Sequence, residues 1–293
     1  MFIPNTVLTS RCNKWLFTLA LVGCITPKIW AQETAKPLFE MGIGIGAVNQ
    51  PFYPGSGQQR NIVFPAPVPI YRGKVFKSDS RGIRAEVVDE PRYRLDISAD
   101  INFAINSDDI DAREGMADID TMLQIGPSFQ IDLYDGATNR IKLNLPLRFN
   151  LGVSWQGVSD NGFTFAPNVS FHHGFQWRET PWLASVSAGP QFGSQQFHDV
   201  YYHVADRYAT AERAAYRADA GYSGSRITAS IRSRTDQRLW VLFARYDHLS
   251  GAEFEDSPLV ETNYGLSVGF IYSRFVFRSK TTVSRDDEKV VRR

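Results

Sequence analysis

The sequence predicts an all-β protein, a transmembrane antiparallel up-and-down β-barrel with an even number of strands. Three observations lead there. Long stretches alternate apolar and polar residues, the period of a strand with two different faces. No run of about 18 apolar residues exists, so no transmembrane helix is available, yet the mean hydropathy of −0.26 does not argue against a membrane barrel, whose strands turn every second residue to a polar lumen. The apolar faces also end in aromatic residues. From Tyr264 to Tyr272 one face reads Tyr264, Leu266, Val268, Phe270, Tyr272 and the other Gly265, Ser267, Gly269, Ile271. Eight steps at ~3.3 Å, tilted by about 40°, give roughly 20 Å of height, close to the lipid-facing band of an outer-membrane barrel with its aromatic girdles.

The N-terminus reads as a secretory signal over residues 1–31. Arg11 and Lys14 precede the apolar run Trp15–Gly23, and Ile29-Trp30-Ala31 offers a small-residue cleavage site. Leu21-Val22-Gly23-Cys24 also fits a lipobox, in which Cys24 would carry lipid. Both cysteines, Cys12 and Cys24, lie in this segment, so cleavage after Ala31 leaves no thiol and no disulfide. The net charge is +1, and removing Arg11, Lys14 and Lys28 leaves 29 basic against 31 acidic residues. There is no basic footprint for nucleic acid.

The barrel is expected over residues 32–277. Phe39, Met41, Ile43, Ile45 and Ala47 alternate with Glu40, Gly42, Gly44 and Gly46. Residues 61–71 are a weaker strand, because Pro65, Pro67 and Pro69 cannot donate to a ladder; they fit an edge or a segment folded into the lumen. Ile83, Ala85 and Val87 make a short strand. Longer ones run from Tyr93 to Ile105, Ile119 to Leu133, Ile141 to Trp155, Phe163 to Trp177 and Trp182 to Phe192, then around Ile227–Ile231, Trp240–Tyr246 and Tyr264–Tyr272. Their second faces carry charge. The candidate lumen-lining residues are Asp96, Asp100, Asp118, Asp120, Lys142, Arg148, Arg232, Arg245 and Asp247. A two-sheet soluble protein with these polar faces turned to water is the competing fold; the export signal and the aromatic ends favour lipid.

Gap lengths alternate. Short turns are expected at Asp89–Pro91, Tyr134–Asn139, Arg178–Pro181 and Arg234–Gln237, and long gaps at Ser107–Gly115, Gln156–Asn161, Gln195–Gly221 and Gly251–Glu261. Short turns belong on the periplasmic side and long loops outside. Eleven segments are visible; merging the uncertain stretch 61–88 gives ten and splitting another segment gives twelve, and the alternation slightly favours ten. Val204–Arg217, rich in alanine, is the helical candidate of the longest loop. Residues 278–293, with six basic and three acidic residues, read as a disordered polar tail.

Several motifs resemble the MipA/OmpV family of outer-membrane proteins. They are Tyr53-Pro54-Gly55-Ser56, Tyr71-Arg72-Gly73 and Gly115 through Asp120, and more specifically Ala215–Gly224, Arg245–Ala252 and Asp256–Val260. The resemblance implies an integral outer-membrane β-barrel. It also implies partners, since the name-giving member is described as a scaffold between a lytic transglycosylase and a bifunctional penicillin-binding protein. Other members are linked to osmotic response, adhesion and antibiotic uptake. This chain departs from the usual barrel ending, because sixteen residues follow the closing aromatic Phe277.

No catalytic set or cofactor site is expected. The five histidines, His172, His173, His198, His203 and His248, show no metal-ligand spacing. His198 and His203 lie near Asp199 and Asp206, which leaves a protease-like mouth as the enzyme reading against a wet loop. The acidic run Ser107–Glu114 lacks the glycine and ligand spacing of a calcium loop and reads as a solvated loop. The luminal charges either pair across a narrow lumen or select a solute. Gly42, Gly44, Gly46, Gly265 and Gly269 are expected to leave free space at the seam between first and last strands.

Overall fold

The alternating segments become strands in a computed structural model that describes residues 36–73, 75–79 and 82–283. The export segment 1–31, with its two cleavage readings, and the tail beyond 283 lie outside the described residues. In chain order the strands are β1 (Lys36–Pro37), β2 (Phe39–Pro51), β3 (Gln59–Pro65), β4 (Val68–Arg72), β5 (Phe76–Asp79), β6 (Gly82–Asp89), β7 (Tyr93–Asn102) and β8 (Thr121–Asp135). They continue with β9 (Asn139–Ser154), β10 (Gly157–Phe165), β11 (Asn168–Trp177), β12 (Thr180–Gly193), β13 (Gly221–Arg234), β14 (Arg238–His248), β15 (Tyr264–Arg278) and β16 (Thr282–Val283). Helix α1 (Gln195–Tyr202) follows β12.

Each strand pairs antiparallel with its neighbour, and β15 returns to β2 from Val268↔Asn49 to Arg278↔Glu40, which closes the wall. β3 and β4 act as one interrupted strand, as do β10 and β11, and the barrel then has twelve strands. Ten was the count the gap pattern favoured. Ten needs 61–88 to be a single strand, whereas it makes three: β3 with β4, then β5, then β6. β5 is the unforeseen one, four residues that pair with Tyr71–Arg72 on one side and with β6 on the other. So short a segment carries no readable alternation. Both interruptions fall at an Ala-Pro pair. Ala66 donates to the Gly44 carbonyl at 2.9 Å and Ala166 to the Pro146 carbonyl at 3.2 Å, whereas Pro67 and Pro167 have no N–H to give.

The proline-rich stretch therefore sits in the wall. β3 pairs with β2 alone, so it is edge-like, as its prolines allow. Arg60 bridges from this free edge to the Ala104 carbonyl at 3.2 Å.

The outward faces are apolar all round. Ile43 is 62% and Leu242 58% exposed, and Ile101, Phe149, Val186 and Val268 behave alike. An apolar belt of this extent is the lipid face of a barrel. Aromatic pairs rim it. At the short-turn end Phe39–Phe277, Tyr93–Phe129 and Trp177–Trp182 sit 6.0 Å apart, and Trp240–Tyr272 4.3 Å. At the other end Phe192 bridges Phe165 and Tyr222 at 6.4 and 6.0 Å.

Long loops 52–58, 103–120, 194–220 and 249–263 gather at one end. The expected long gap at Gln156–Asn161 is instead a hairpin, because β9 and β10 extend past the belt and join through Trp155-Gln156. Val204–Arg217 is not the helix either; it holds one 3-10 turn, Asp206–Tyr208, and a bridge between Val204 and Tyr216. The helix lies just upstream, where Ser194 caps it by accepting from the Phe197 N–H at 3.3 Å. At the chain end, Arg278 closes β15, and Thr282–Val283 pair with Lys36–Pro37.

Candidate functional site: a lumen closed at both ends

The inward faces build the lumen in layers. At the short-turn end Glu40, 3% exposed, receives three guanidinium groups. Arg72 lies at 2.6 Å, Arg234 at 2.8 Å and Arg278 at 3.3 Å. They come from β4, β13 and β15, so this one carboxylate ties strands from both sides of the β2 seam. Above it Ile70, Leu239 and Phe275 pack with Val68 and Val241 into an apolar plug, and the Arg234 guanidinium lies 3.5 Å over the Phe275 ring.

The glycines of the seam do not leave the space expected of them. A Cβ on Gly46 would run into the Phe64 ring, and one on Gly269 would come 2.6 Å from Phe243. Glycine lets these rings from neighbouring strands lie over the wall, so the space at Gly46 and Gly269 is taken.

The opposite wall is polar and cross-linked. Lys77 and Arg84 meet Glu86 at 2.5 and 3.1 Å. Asp96, 1% exposed, accepts from Gln130 at 3.1 Å. Lys142 pairs with Asp132 at 3.1 Å. Arg148 donates to Ser98 at 2.8 Å and to the Gly126 carbonyl at 3.2 Å, with Asp100 at 4.0 Å. Asp100 keeps its carboxylate open, at 73% exposed. His172 lies between Ser185 and Ser170 at 2.8 and 3.1 Å. Towards the long-loop end Asp247 binds Arg226 at 2.6 Å and Arg245 at 3.0 Å, and Arg245 reaches Ser267 at 3.3 Å.

Seven of the nine candidate lumen residues thus lie on inward faces; Arg232 stands on β13 between Leu183 and Val241. Asp118 and Asp120 do not. They precede β8 in an exposed loop, where Asp118 accepts the Ser107 N–H at 2.8 Å. The apolar-polar alternation extends to Ile119, but only a single bridge, Ile105↔Ile119, forms there. Glu40, Arg84, Glu86, Arg226 and Arg234 were missed as luminal groups. Strand parity alone would have found them, whereas the Glu40–Arg234 contact spans 194 residues and has no local signal.

The long loops close the other end as one packed cap. Tyr53, Ile105, Ile110, Ile119, Met122, Tyr201, Tyr202, Val204, Leu249, Phe254 and Leu259 form its buried core. The Tyr202 and Phe254 rings stack 3.7 Å apart. Tyrosine hydroxyls tie loop to loop: Tyr53 to the Leu259 carbonyl at 2.8 Å, Tyr202 to the Pro54 carbonyl at 2.8 Å and Tyr216 to the Glu253 carbonyl at 3.0 Å. Burial pushes the Tyr201 phenol up to about 12 and Tyr202 well above its usual range, so both remain neutral. The acidic run 107–114 is part of this cap, not a loose loop: Ile110 is fully buried, and Arg113 donates to the Tyr201 carbonyl at 3.0 Å.

His198 is not wet either. It is fully buried, with Nδ1 2.6 Å from the Asp219 carbonyl and Nε2 2.7 Å from Ser223 Oγ. A carbonyl only accepts, so Nδ1–H donates and Nε2 accepts from the serine. Burial holds this imidazole below its usual pKa, against the opposing pull of the Asp219 carbonyl. Both ring nitrogens are engaged, and His203 spends its Nδ1 on the Tyr216 carbonyl at 2.9 Å. Among the described residues no group of three or more His, Cys, Asp or Glu is placed to hold a metal ion.

Comparison with known proteins agrees with the family resemblance. No curated protein sequence matches the chain. Among solved structures, a bacterial polysaccharide outer-membrane secretin is similar at 9% identity over 82% of this chain and 99% of its own, with a TM-score of 0.41. The outer-membrane protease OmpT of Escherichia coli is similar at 7% identity over 81% of this chain and 93% of its own, TM-score 0.29. Scores this low carry no argument about topology or activity. The family model described as MltA-interacting protein MipA matches residues 43–275, about four-fifths of the chain. That span takes in the whole cap and nearly the whole wall, and the motifs around Tyr53, Tyr216, Leu249 and Leu259 are the ones that meet in the cap core. The chain belongs to the family of the MltA-interacting protein MipA.

Proposed function

We propose that this envelope β-barrel works as a scaffold in the outer membrane, with its short-turn end in the periplasm and its cap outside, and that its partners are enzymes of murein synthesis or remodelling. The observation that carries the reading is the packing at both ends of the lumen. An apolar plug and a three-arginine latch fill one end, an aromatic cap seals the other, and the charges between are mostly paired. A barrel built this way spends its interior on rigidity and leaves its rims for contact. The family takes its name from an interaction with MltA, a lytic transglycosylase, and a penicillin-binding protein is the second expected partner. No catalytic activity and no cofactor enter this reading.

The contact surface is the set of short turns with the chain beyond Val283. Affinity capture from envelope extract, with the full chain and with a chain ending at Val283, tests it. Enrichment of a lytic transglycosylase or penicillin-binding protein by the full chain supports the scaffold, and enrichment of neither removes its support.

The second reading is a narrow, gated channel for small solutes, including antibiotics. It is favoured by the open Asp100 carboxylate in the lumen and by a cap that packs as a unit separate from the plug. Here the cap is the gate.

A further inference from the structure

The luminal charges are largely paired, whereas among the described residues Arg238 and Arg274 on the outer wall have no ion pair. Arg238 begins β14 and Arg274 lies near the end of β15, directly opposite each other in the ladder. Both are exposed and share the outward face with Trp240, Leu242, Tyr272 and Phe270. Like charges directly opposite in a sheet repel. Among the described residues neither guanidinium has an ion pair, although Arg234 and Arg278, close in sequence but turned inward, share Glu40.

Their position narrows what could balance them. One pair further along the same face, Trp240 and Tyr272 stack 4.3 Å apart as part of the short-turn girdle. Girdle aromatics sit at headgroup level, and Arg274 lies between two of them on β15, Tyr272 and Phe277, so the arginine pair faces the headgroup layer of that leaflet. A β-bulge between Phe275 and Phe277 also breaks the register beside Arg274. An open recess of about 330 Å³ lies at this rim, lined by Gln237, Arg274, Phe275, Val276, Phe277 and Arg278. Two facing forks of N–H donors, an aromatic shelf above and a recess beside them suit a phosphodiester with acyl chains running up the wall.

We propose that Arg238 and Arg274 form a binding site for the headgroup phosphate of an anionic phospholipid in the leaflet at the short-turn end. The site lies on the outside of the barrel and is independent of the scaffold reading. The bridging phosphate relieves the repulsion between the two arginines and anchors the seam side of the barrel against rotation in the leaflet.

The test is native mass spectrometry of the full chain in detergent, titrated with phosphatidylglycerol, with phosphatidylcholine and with inorganic phosphate. The wild type should retain one phosphatidylglycerol in preference to phosphatidylcholine. The double variant R238Q/R274Q should bind it about thirtyfold more weakly at low salt, the fold-change for two arginines at ~1 kcal/mol each. The control R140Q/R178Q removes two other rim arginines and should stay within about twofold. Heat-modifiable migration on gels confirms that each variant folds. Equal loss in control and test variants, unchanged binding in R238Q/R274Q, or competition by inorganic phosphate as strong as by lipid each overturns the proposal. So does a double variant that binds lipid normally but fails to capture an envelope protein, since the arginines would then serve a protein interface.

Discussion

The two ends of this barrel are closed by different physics. The long-loop end is sealed mostly by neutral groups: stacked Tyr202 and Phe254, buried Ile110 and Leu259, and tyrosine hydroxyls on carbonyls, with Arg113 donating to the Tyr201 carbonyl. The short-turn end is sealed by charge, with three arginines on one buried glutamate beneath a small apolar plug. Aromatic packing depends on shape and is not screened by salt as charge pairs are. A partly buried ion cluster depends on every partner being present, because removing one strands the others. The difference teaches that the ends should fail separately and in response to different perturbations.

The largest expected effect is at the cap. Phe254→Ala removes a ring that is 2% exposed and stacked on Tyr202. It should cost the cap about 3–5 kcal/mol. Hydrogen exchange in 195–202 and 249–263 should accelerate while the strands stay protected. Equal acceleration in the wall would show that cap and wall are one cooperative unit.

Next is the latch. Glu40→Ala leaves Arg72, Arg234 and Arg278 without their carboxylate and should cost about 3 kcal/mol, the low end for a broken buried pair because the arginines are partly exposed. The midpoint of heat modifiability should fall, with exchange in the cap unchanged. A variant as stable as wild type would mean that the latch is ornamental.

The smallest effect is a pH dependence of the cap. His198 is held neutral by burial, with its folded pKa below the usual 6.5. Its contribution is fully present above that value and is lost as pH falls below it towards the depressed folded value, because the opened cap binds the proton more readily. Exchange in α1 should therefore rise as pH drops below about 6.5. The rise should vanish in His198→Gln and persist in His203→Gln. Acid sensitivity unchanged in both variants would assign it to another group.

How far the sequence could be read follows from the range of each interaction. Strand periodicity is local, so the barrel and most luminal faces were legible. β5 was not, since Phe76–Asp79 is shorter than any reliable alternation. The helix was misplaced because alanine content in 204–217 weighed more than Ser194 as a cap and the spacing of Phe197 and His198 to Tyr201 and Tyr202, which are the positions that pack. The glycine faces were read as space because the rings of Phe64 and Phe243 that cover Gly46 and Gly269 belong to other strands. The cap drew on four loops and the latch on four strands, and contacts of that separation leave no trace in a single sequence.

Single-channel recording in a planar bilayer tests the closed lumen most directly. Plug, latch, cap and paired charges together predict near-zero conductance for the wild type at neutral pH, rising when Arg245 or Asp247 is replaced by Ala and the Arg226–Asp247–Arg245 cluster is broken. A stable, ion-selective conductance of the wild type, shifted in selectivity when Arg232 and Arg245 are reversed to Glu, would contradict a closed barrel and establish a channel.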